Sequence, residues 1–561
     1  MPVGSKLPDV EIPSVNILDY IFANPQDVTD KPLWVDADDP AKSLSLRQAL
    51  GWIKRLGAGL EQLGLKRGDV VMMCSTNHIF VPVLYLGVVG STCAFTGANP
   101  AYTPKEIAYQ IANAQAKVIL AHPSKIDDVL AAAAETQFPR DRIFHFSDDV
   151  SGGGGTTSVG GLRDWISFLA PEAAAASWTW PSLSAAEART QLATINYSSG
   201  TTGLPKGVCG AHRNLVANVQ QLIGMRHHPH GLTPALADDV WLAFLPLYHA
   251  YGQMYTILMA ARRHVTVYVM PVFHFERYLR CIERYRPNVL QVVPPVVVML
   301  SKRPEVARYD LSSVADISCG AAPLKADLQN DVADRFRANI VQGWGMTELT
   351  CAASGLPAGR VDRQASCGML LPNCEAKFLG DDGREVAAGE PGELFVRGPN
   401  VMLGYWRNEK ATRETLDADG WLRTGDVAVY NEEGLLWIVD RKKELIKVNG
   451  LQVAPAELES LLLENEHVAD AAVVGIELDH EEYPRAYVQI QDVSKGKVQP
   501  CDIQDWLAPR VAKHKRLAGG VCFVDAVPKL ASGKIVRKLL REWSKRDAAD
   551  MQKAGWTRSN I

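Results

Sequence analysis

Tyr197-Ser198-Ser199-Gly200-Thr201-Thr202-Gly203-Leu204-Pro205-Lys206-Gly207-Val208 packs hydroxyls, glycines and one lysine into a single short stretch. Ala193–Tyr197 ahead of it reads as a strand, and His212–Val219 behind it as the opening of a helix. A hydroxyl-rich turn between a strand and a helix lets backbone N–H groups converge on an anion. The lysine adds a point charge. The ligand that suits such a loop is a nucleotide polyphosphate. The stretch is not a Walker A loop, because Lys206 is followed by Gly207 and no Gly-Lys pair is present. Taken by itself it is also compatible with a plain Gly/Ser surface turn.

At 561 residues the chain is too long for one ordinary core, and the length suggests about three or four domain-sized units. A hydrophobic fraction of 47% and a charged fraction of 22% are those of a globular protein in water. The net charge of −4 gives no reason to expect nucleic acid or an anionic membrane as partner. No segment reads as spanning a bilayer. The apolar run Ile79–Phe95 is broken by Pro82, Gly87 and Gly90, and Val289–Leu300 by Pro294 and Pro295. Met1–Lys6 lacks the apolar core of a signal peptide, and Ser559-Asn560-Ile561 departs from Ser-Lys-Leu at two positions. The expected location is the cytoplasm. The ten cysteines include no C-x-x-C pair, and the spacing of Cys367 and Cys374 fits no zinc pattern. His227-His228-Pro229-His230 reads as a polar loop for want of companion ligands.

A helical apolar pattern over 45–64 is followed by the strand Asp69–Cys74, a short helix Pro104–Ala114 and the strand Lys117–Ala121. Such alternation implies a parallel sheet flanked by helices. After a glycine-rich excursion at Ser151–Ser158 and an alanine run at 173–176, a second alternation runs from Val240 to about residue 345. Beyond Gly389–Gly398 the pattern turns to strand–turn–strand, a small β unit. Around Asp440–Glu444 the character changes again. From there a separate unit of about 120 residues has the helix Pro455–Leu463, strands Val468–Val474 and Arg485–Ile490, and a basic helix from Ile535. The expected domains are 1–440 and 441–561.

Five further stretches carry chemistry: Pro246-Leu247-Tyr248-His249-Ala250-Tyr251-Gly252, Gly343-Trp344-Gly345-Met346-Thr347-Glu348, Gly420-Trp421-Leu422-Arg423-Thr424-Gly425-Asp426, Arg441–Pro455 and Pro528-Lys529-Leu530-Ala531-Ser532-Gly533-Lys534. In order and spacing the chain resembles the adenylate-forming superfamily of acyl-CoA synthetases, luciferases and peptide-synthetase adenylation domains, and within it the 4-coumarate–CoA ligase branch. The resemblance covers about residues 30 to 545. It implies an α/β fold: a large N-terminal lobe of two flanked, mostly parallel sheets with a small β-barrel-like unit, and a small mobile C-terminal α+β domain. It also implies an ATP-dependent acid–CoA ligase using ATP, Mg2+ and coenzyme A. A carboxylate, ionised at neutral pH with a pKa of about 4, is a poor electrophile. Attack on the α-phosphate of ATP makes an acyl-adenylate, which a thiol can displace. That first step asks for positioning and charge neutralisation.

The roles that follow are those the resemblance implies. Ser198, Ser199, Gly200, Thr201, Thr202, Gly203 and Lys206 hold the β- and γ-phosphates. Glu348 is the magnesium-associated carboxylate, and Thr347 reaches the α-phosphate. Gly320, Ala321, Ala322, Gly343, Trp344, Gly345 and Met346 line the nucleotide pocket, and His249, Tyr251, Gly320 and Gly345 the acyl pocket. Asp426 accepts from the ribose hydroxyls, and Arg441 is a second ribose or phosphate contact. Lys534 is the catalytic lysine and His249 an aromatic gate beside the reacting carboxylate, although a core histidine would read the same way. Lys443 is the hinge of a domain rotation between the two half-reactions. Lys447 and Gln452 contact the nucleotide, and Asn449-Gly450 lies where the branch has Lys-Gly near the CoA tunnel.

Two departures from the plant enzymes are Leu349-Thr350-Cys351-Ala352 after Glu348 and the lack of a lysine in Ile317-Ser318-Cys319. The expected substrate is an aryl (4-coumarate-like) or medium-chain carboxylic acid. The alternatives are a stand-alone adenylation enzyme loading a carrier protein, a luciferase-like oxidase, and a non-catalytic nucleotide-binding scaffold. Only 27 residues (561 − 534) follow Lys534, too few for a carrier domain. Glu348, Asp426 and Lys534 are all present, against the scaffold reading.

Overall fold

The computed structural model describes residues 2–148, 159–198, 204–226, 239–448, 451–478, 481–530 and 533–553. Three large sheets and the two-stranded pair Ser354–Gly355/Met369–Leu370 build the N-terminal part, and the first large sheet has eight strands. Its order in space is Gly404–Tyr405, Lys206–Ala211, Leu192–Ser198, Ala94–Ala98, Val70–Cys74, Ala116–Ala121, Ile143–His145 and Arg163–Asp164. From Leu192–Ser198 outward to Arg163–Asp164 neighbours run parallel. Every residue of Val70–Cys74 is buried, as expected of a strand covered on both faces. The flanking helices begin on local signals. Ser45 and Gln48 form a capping box for Leu46–Gln62, and Thr103 and Glu106 form one for Pro104–Ala114, with Pro104 in its first turn. Val81–Gly90 is apolar on all sides and wholly buried.

The second sheet has seven strands in the order Asn339–Gln342, Asp316–Cys319, Val289–Val292, Val240–Ala243, Thr266–Val269, Pro32–Asp36 and Ser43–Ser45. All pairs are parallel except the last. Asp316–Cys319 and Asn339–Gln342 deliver Gly320–Pro323 and Gly343–Glu348 at their carboxyl ends, where open α/β sheets form their ligand crevice. The small β unit is a five-stranded antiparallel sheet: Val3–Gly4, Glu375–Leu379, Gly392–Arg397, Leu422–Tyr430 and Leu436–Arg441.

Beyond Arg441, Val468–Leu478 and Glu481–Ile490 pair antiparallel, Val521–Phe523 runs parallel to the latter, and Ile446–Val448 pairs with Leu451–Val453. Leu458, Leu462, Val473, Val488, Ile503 and Leu507 close a core distinct from those of the N-terminal part. The last helix is Arg537–Lys553. Among the described residues no helix is long and apolar enough to cross a membrane, no three His, Cys, Asp or Glu side chains cluster as a metal site, and the cysteines are free thiols, seven of them buried.

The opening stretch differs from its reading as a strand–loop–helix connection. Lys206–Ala211 is a strand, antiparallel to Leu192–Ser198, and the helix His212–Arg226 follows it directly. Gly207 and Gly210 make that pairing possible. A Cβ on either would lie 2.7 Å from Ile195 Cγ2 or Thr194 Oγ1. Two glycines in six residues masked the strand from a propensity reading. Ser199–Gly203, the phosphate-loop residues between the two strands, lie outside the described residues.

Candidate active site

Glu348 sits in the short 3-10 turn Thr347–Leu349 that ends the seven-stranded sheet's edge, and its side chain is buried. Two hydroxyls hold it. Ser198 Oγ donates to Oε1 at 3.1 Å and Tyr405 Oη donates to the same oxygen at 2.9 Å. Lys206 Nζ stands 4.7 Å from the centre of the Tyr405 ring, a cation–π distance. Tyr405 thus joins the lysine of the phosphate loop to the candidate metal carboxylate. Sequence reasoning missed it, because it lies on the two-residue strand Gly404–Tyr405, too short for any periodicity.

The turn after Glu348 is strained. Thr350 has φ 66° and ψ −52°, and Cys351 N–H donates to Leu349 O at 2.7 Å, closing a γ-turn of the rare kind. Thr350 Oγ1 donates to Asn400 O at 2.7 Å and fixes it. Strain of this sort persists where the surroundings over-determine the backbone, and it clusters at functional sites. Gly345 is obligatory for the same reason, since a Cβ there would overlap Cys351 O and approach Ala352 Cα to 2.7 Å.

Asp426 faces Arg441 across two paired strands, and Arg441 Nε lies 3.2 Å from Asp426 Oδ1. Trp344 Nε1 donates to Oδ2 at 2.8 Å. Burial pushes this carboxyl's pKa up, against the pull of Arg441 and of the indole N–H. Lys534 is carried in by a tight turn. Gly533 N–H donates to Leu530 O and Leu530 N–H to Lys534 O, both at 2.8 Å, and Gly533 has φ +80°. Burial first, then the neighbouring Arg441, lower the Lys534 pKa, while Glu348 and Asp426 oppose the shift. Three sequence-distant candidates therefore meet in one electrostatic cluster.

His249 caps the helical turn Ala250–Gly252, its Nδ1 accepting from Tyr251 N–H at 3.2 Å. Burial and the Lys534 ammonium push its pKa down to about 3. The imidazole is neutral, and with Nδ1 occupied as an acceptor its proton sits on Nε2. Tyr251 lies against Gly320, where a Cβ would be 3.3 Å from the ring. Its hydroxyl donates to Ser318 O at 3.2 Å, and Tyr255 meets it edge-on at 5.1 Å between ring centres. Ala321, Ala322, Gly343, Trp344, Gly345, Asp426, Arg441 and Lys534 line one cavity of about 770 Å³. Ala321 adopts φ +77° at its mouth. Met346 and Thr347 are half-exposed beside it.

Lys447 and Gln452 are not brought to this cavity. They face each other across the hairpin Ile446–Val448/Leu451–Val453, both exposed. Gln452 donates to Asp381 Oδ2 at 3.3 Å, and Lys447 N–H to Glu482 Oε2 at 2.8 Å. Lys443 is exposed in the turn between the five-stranded sheet and that hairpin. Asn449 and Gly450 lie outside the described residues.

The AMP-binding enzyme family matches residues 22–406, and the C-terminal domain of AMP-binding enzymes matches 457–534. The chain belongs to the AMP-binding enzyme family. Among curated relatives, the phenylacetyl-CoA ligase of Aspergillus niger is 36% identical over 552 residues, covering 96% of this chain and 98% of that one. The 4-coumarate–CoA ligase 5 of Oryza sativa subsp. japonica is 36% identical over 549 residues, covering 96% of each. A solved anthranilate CoA ligase in complex with anthranoyl-AMP superposes with a TM-score of 0.83 at 24% identity, over 95% of this chain and 98% of that one. At that identity the likeness concerns the fold.

In an AMP-binding enzyme the charge arrangement has a plain reading. Lys534 and Arg441 stand beside Glu348 and Asp426, and Lys206 approaches from the phosphate-loop side. A polyphosphate bound there would add negative charge that opposes the lowering of the Lys534 pKa.

Proposed function

We propose that this protein is an ATP-dependent acid–CoA ligase acting on an aryl carboxylic acid. The carboxylate attacks the α-phosphorus of ATP, pyrophosphate leaves, and the acyl-adenylate then yields acyl-CoA and AMP when the CoA thiol attacks. The observation that carries the reading is the single cavity that Lys534, from the C-terminal unit, shares with Trp344, Asp426 and Arg441 from the N-terminal part. Lys534 is the donor that neutralises charge between the carboxylate and the α-phosphate as the new bond forms. Asp426, held by Trp344 and Arg441, is a fixed acceptor for the ribose hydroxyls. Lys206 and Ser198 flank the β- and γ-phosphates. His249, whose pKa is lowered by burial and by the Lys534 ammonium, gates the acyl pocket.

Glu348 fits a magnesium ion. It is a hard oxygen donor, and among the described residues both side-chain hydrogen bonds it accepts fall on Oε1. Magnesium bound there supplies charge neutralisation for the phosphates. Tyr251 and Tyr255, packed edge to face, offer an aromatic surface that suits an aryl acid. The relatives named for phenylacetate and 4-coumarate support that class.

The exposed side chains of Lys447 and Gln452 support a second pose. In it the C-terminal unit turns about Lys443, withdraws Lys534 and presents their hairpin to the site for the CoA step. The test is a panel of aryl and aliphatic carboxylates with ATP and magnesium, read for pyrophosphate, AMP and the CoA thioester. Pyrophosphate and AMP without thioester from any acid would overturn the ligase reading.

A further inference from the structure

The helix Pro294–Lys302 belongs to the N-terminal part and touches the C-terminal unit at both ends. At its start, a Cβ on Gly533 would lie 3.1 Å from Val293 Cγ2 and 3.5 Å from Pro295 Cδ, so the loop carrying Lys534 lies directly on it. At its end, Lys302 Nζ donates to Leu463 O, and to Asn465 O and Val468 O at 3.2 Å each. Leu463 caps the carboxyl end of the helix Pro455–Leu462. Leu463 O lies at the negative end of that helix's dipole, and Asn465 O and Val468 O belong to the chain that leads on to the next strand. The two contacts are separated by one rigid rod about 13 Å long.

Lys302 is not needed by its own helix. That helix's last carbonyls, Leu300 O and Ser301 O, accept from Arg335 Nη1 at 3.1 and 2.7 Å. Burial lowers the Lys302 pKa, with Glu464 opposing, so the ammonium has given up water for these three carbonyls. The nearby ion pair Lys325–Glu464, 2.7 Å, is partly exposed, and such pairs contribute little.

We propose that Lys302 is a positioning residue for the adenylation half-reaction: by capping the carbonyl end of Pro455–Leu462 it docks the C-terminal unit in the pose that seats Lys534. The proposal rests on the ligase reading for its kinetic consequence, but not for its structural one. When the C-terminal unit rotates away, Lys302 returns to water and the contact is lost, so its weight falls on one half-reaction only.

The experiment uses the full chain with Lys302→Met, which keeps the aliphatic stem, and Lys302→Arg, which keeps the charge. Acid-dependent pyrophosphate–ATP exchange is expected to fall about tenfold to a hundredfold in kcat for Lys302→Met. The KM for ATP stays close to wild type, and thioester formation from supplied acyl-adenylate stays within about twofold. Lys302→Arg restores most of the exchange. Equal loss in both half-reactions, or undiminished exchange, overturns the proposal. Amide hydrogen exchange across residues 528–538 of the ligand-free protein gives a second readout. It should quicken in Lys302→Met and not in Lys302→Arg, and unchanged protection overturns the docking role. A wild type that exchanges with no acid in the panel sinks the ligase reading alone, since the hydrogen-exchange comparison still decides whether Lys302 docks the unit.

Discussion

Replacing Lys534 by alanine separates the two half-reactions. Lys534 is half-buried on the cavity that Asp426 and Arg441 also line, and Glu348 and Asp426 act on it electrostatically. An ammonium about 4 Å from a bound phosphate oxygen at an effective dielectric of about 20 would interact with it by about 4 kcal/mol. Removing one preorganised donor to a developing anion costs about 2.7–4 kcal/mol in comparable sites. At about 1.4 kcal/mol per tenfold, both routes give a loss of about two to three powers of ten in adenylation. The upper end is expected, because the alanine variant leaves Glu348 and Asp426 facing the polyphosphate with Arg441 alone between them. Lys534→Arg should recover little, since a planar fork does not replace a point charge in a turn this tight. The assay is acid-dependent pyrophosphate–ATP exchange, set beside thioester formation from chemically supplied acyl-adenylate. The second rate should stay within about threefold of wild type, because in the proposed second pose Lys534 is withdrawn from the site. Equal losses in the two assays would refute both the assigned role and the two-pose mechanism.

Tyr405→Phe removes one of the two hydroxyls holding Glu348 Oε1. A hydrogen bond to a charged acceptor is worth about 1.5–3 kcal/mol, so exchange should drop roughly tenfold or more and need more magnesium; a magnesium titration with unchanged half-saturation would contradict this. Gly345→Ala pushes a methyl into Cys351 O and Ala352, and urea unfolding should show about 1–3 kcal/mol lost together with weakened ATP binding. The pH dependence of stability follows from buried histidines: burial pushes His78, His212 and His249 down to about 3. The unfolded chain takes up these protons near pH 6.5 and the folded one does not. Stability therefore falls as pH drops from about 6.5 towards 3, by about 1.4 kcal/mol per pH unit for each histidine. Asp440, pushed up to about 6 by burial, is protonated first in the folded state and offsets part of the loss between pH 6 and 4. The raised Asp36, Asp316 and Asp426 act in the same direction. His212→Gln should flatten the urea-derived slope between pH 6 and 4 by about one histidine's share, and an unaltered slope would show that His212 is not held neutral.

Much of the site was legible as motifs, and the elements bearing them were legible as periodicity. Pro104–Ala114 was read with the bounds it has in the structure, because Thr103, Pro104 and Glu106 start it within one turn of chain. Asp69–Cys74 and Pro455–Leu463 were likewise within one residue of Val70–Cys74 and Pro455–Leu462. The errors arose where pairing overrides propensity. Lys206–Ala211 is a strand despite two glycines because Leu192–Ser198 offers it an edge, and Val468 runs on to Leu478 because Glu481–Ile490 pairs along its whole length.

From the amino-acid order alone came the elements, their alternation and the residue types of the chemistry, because caps, turns and apolar spacing act over a few residues. The tertiary structure alone decided the company each residue keeps. It set Tyr405 on Glu348 and Trp344 on Asp426, placed Lys534 beside acids far away in sequence, turned Lys447 and Gln452 outward, and aimed Lys302 at another unit's helix end. Those contacts depend on strand order and on how one unit docks on another. Both are settled by burying whole faces, and no local stretch of sequence encodes them.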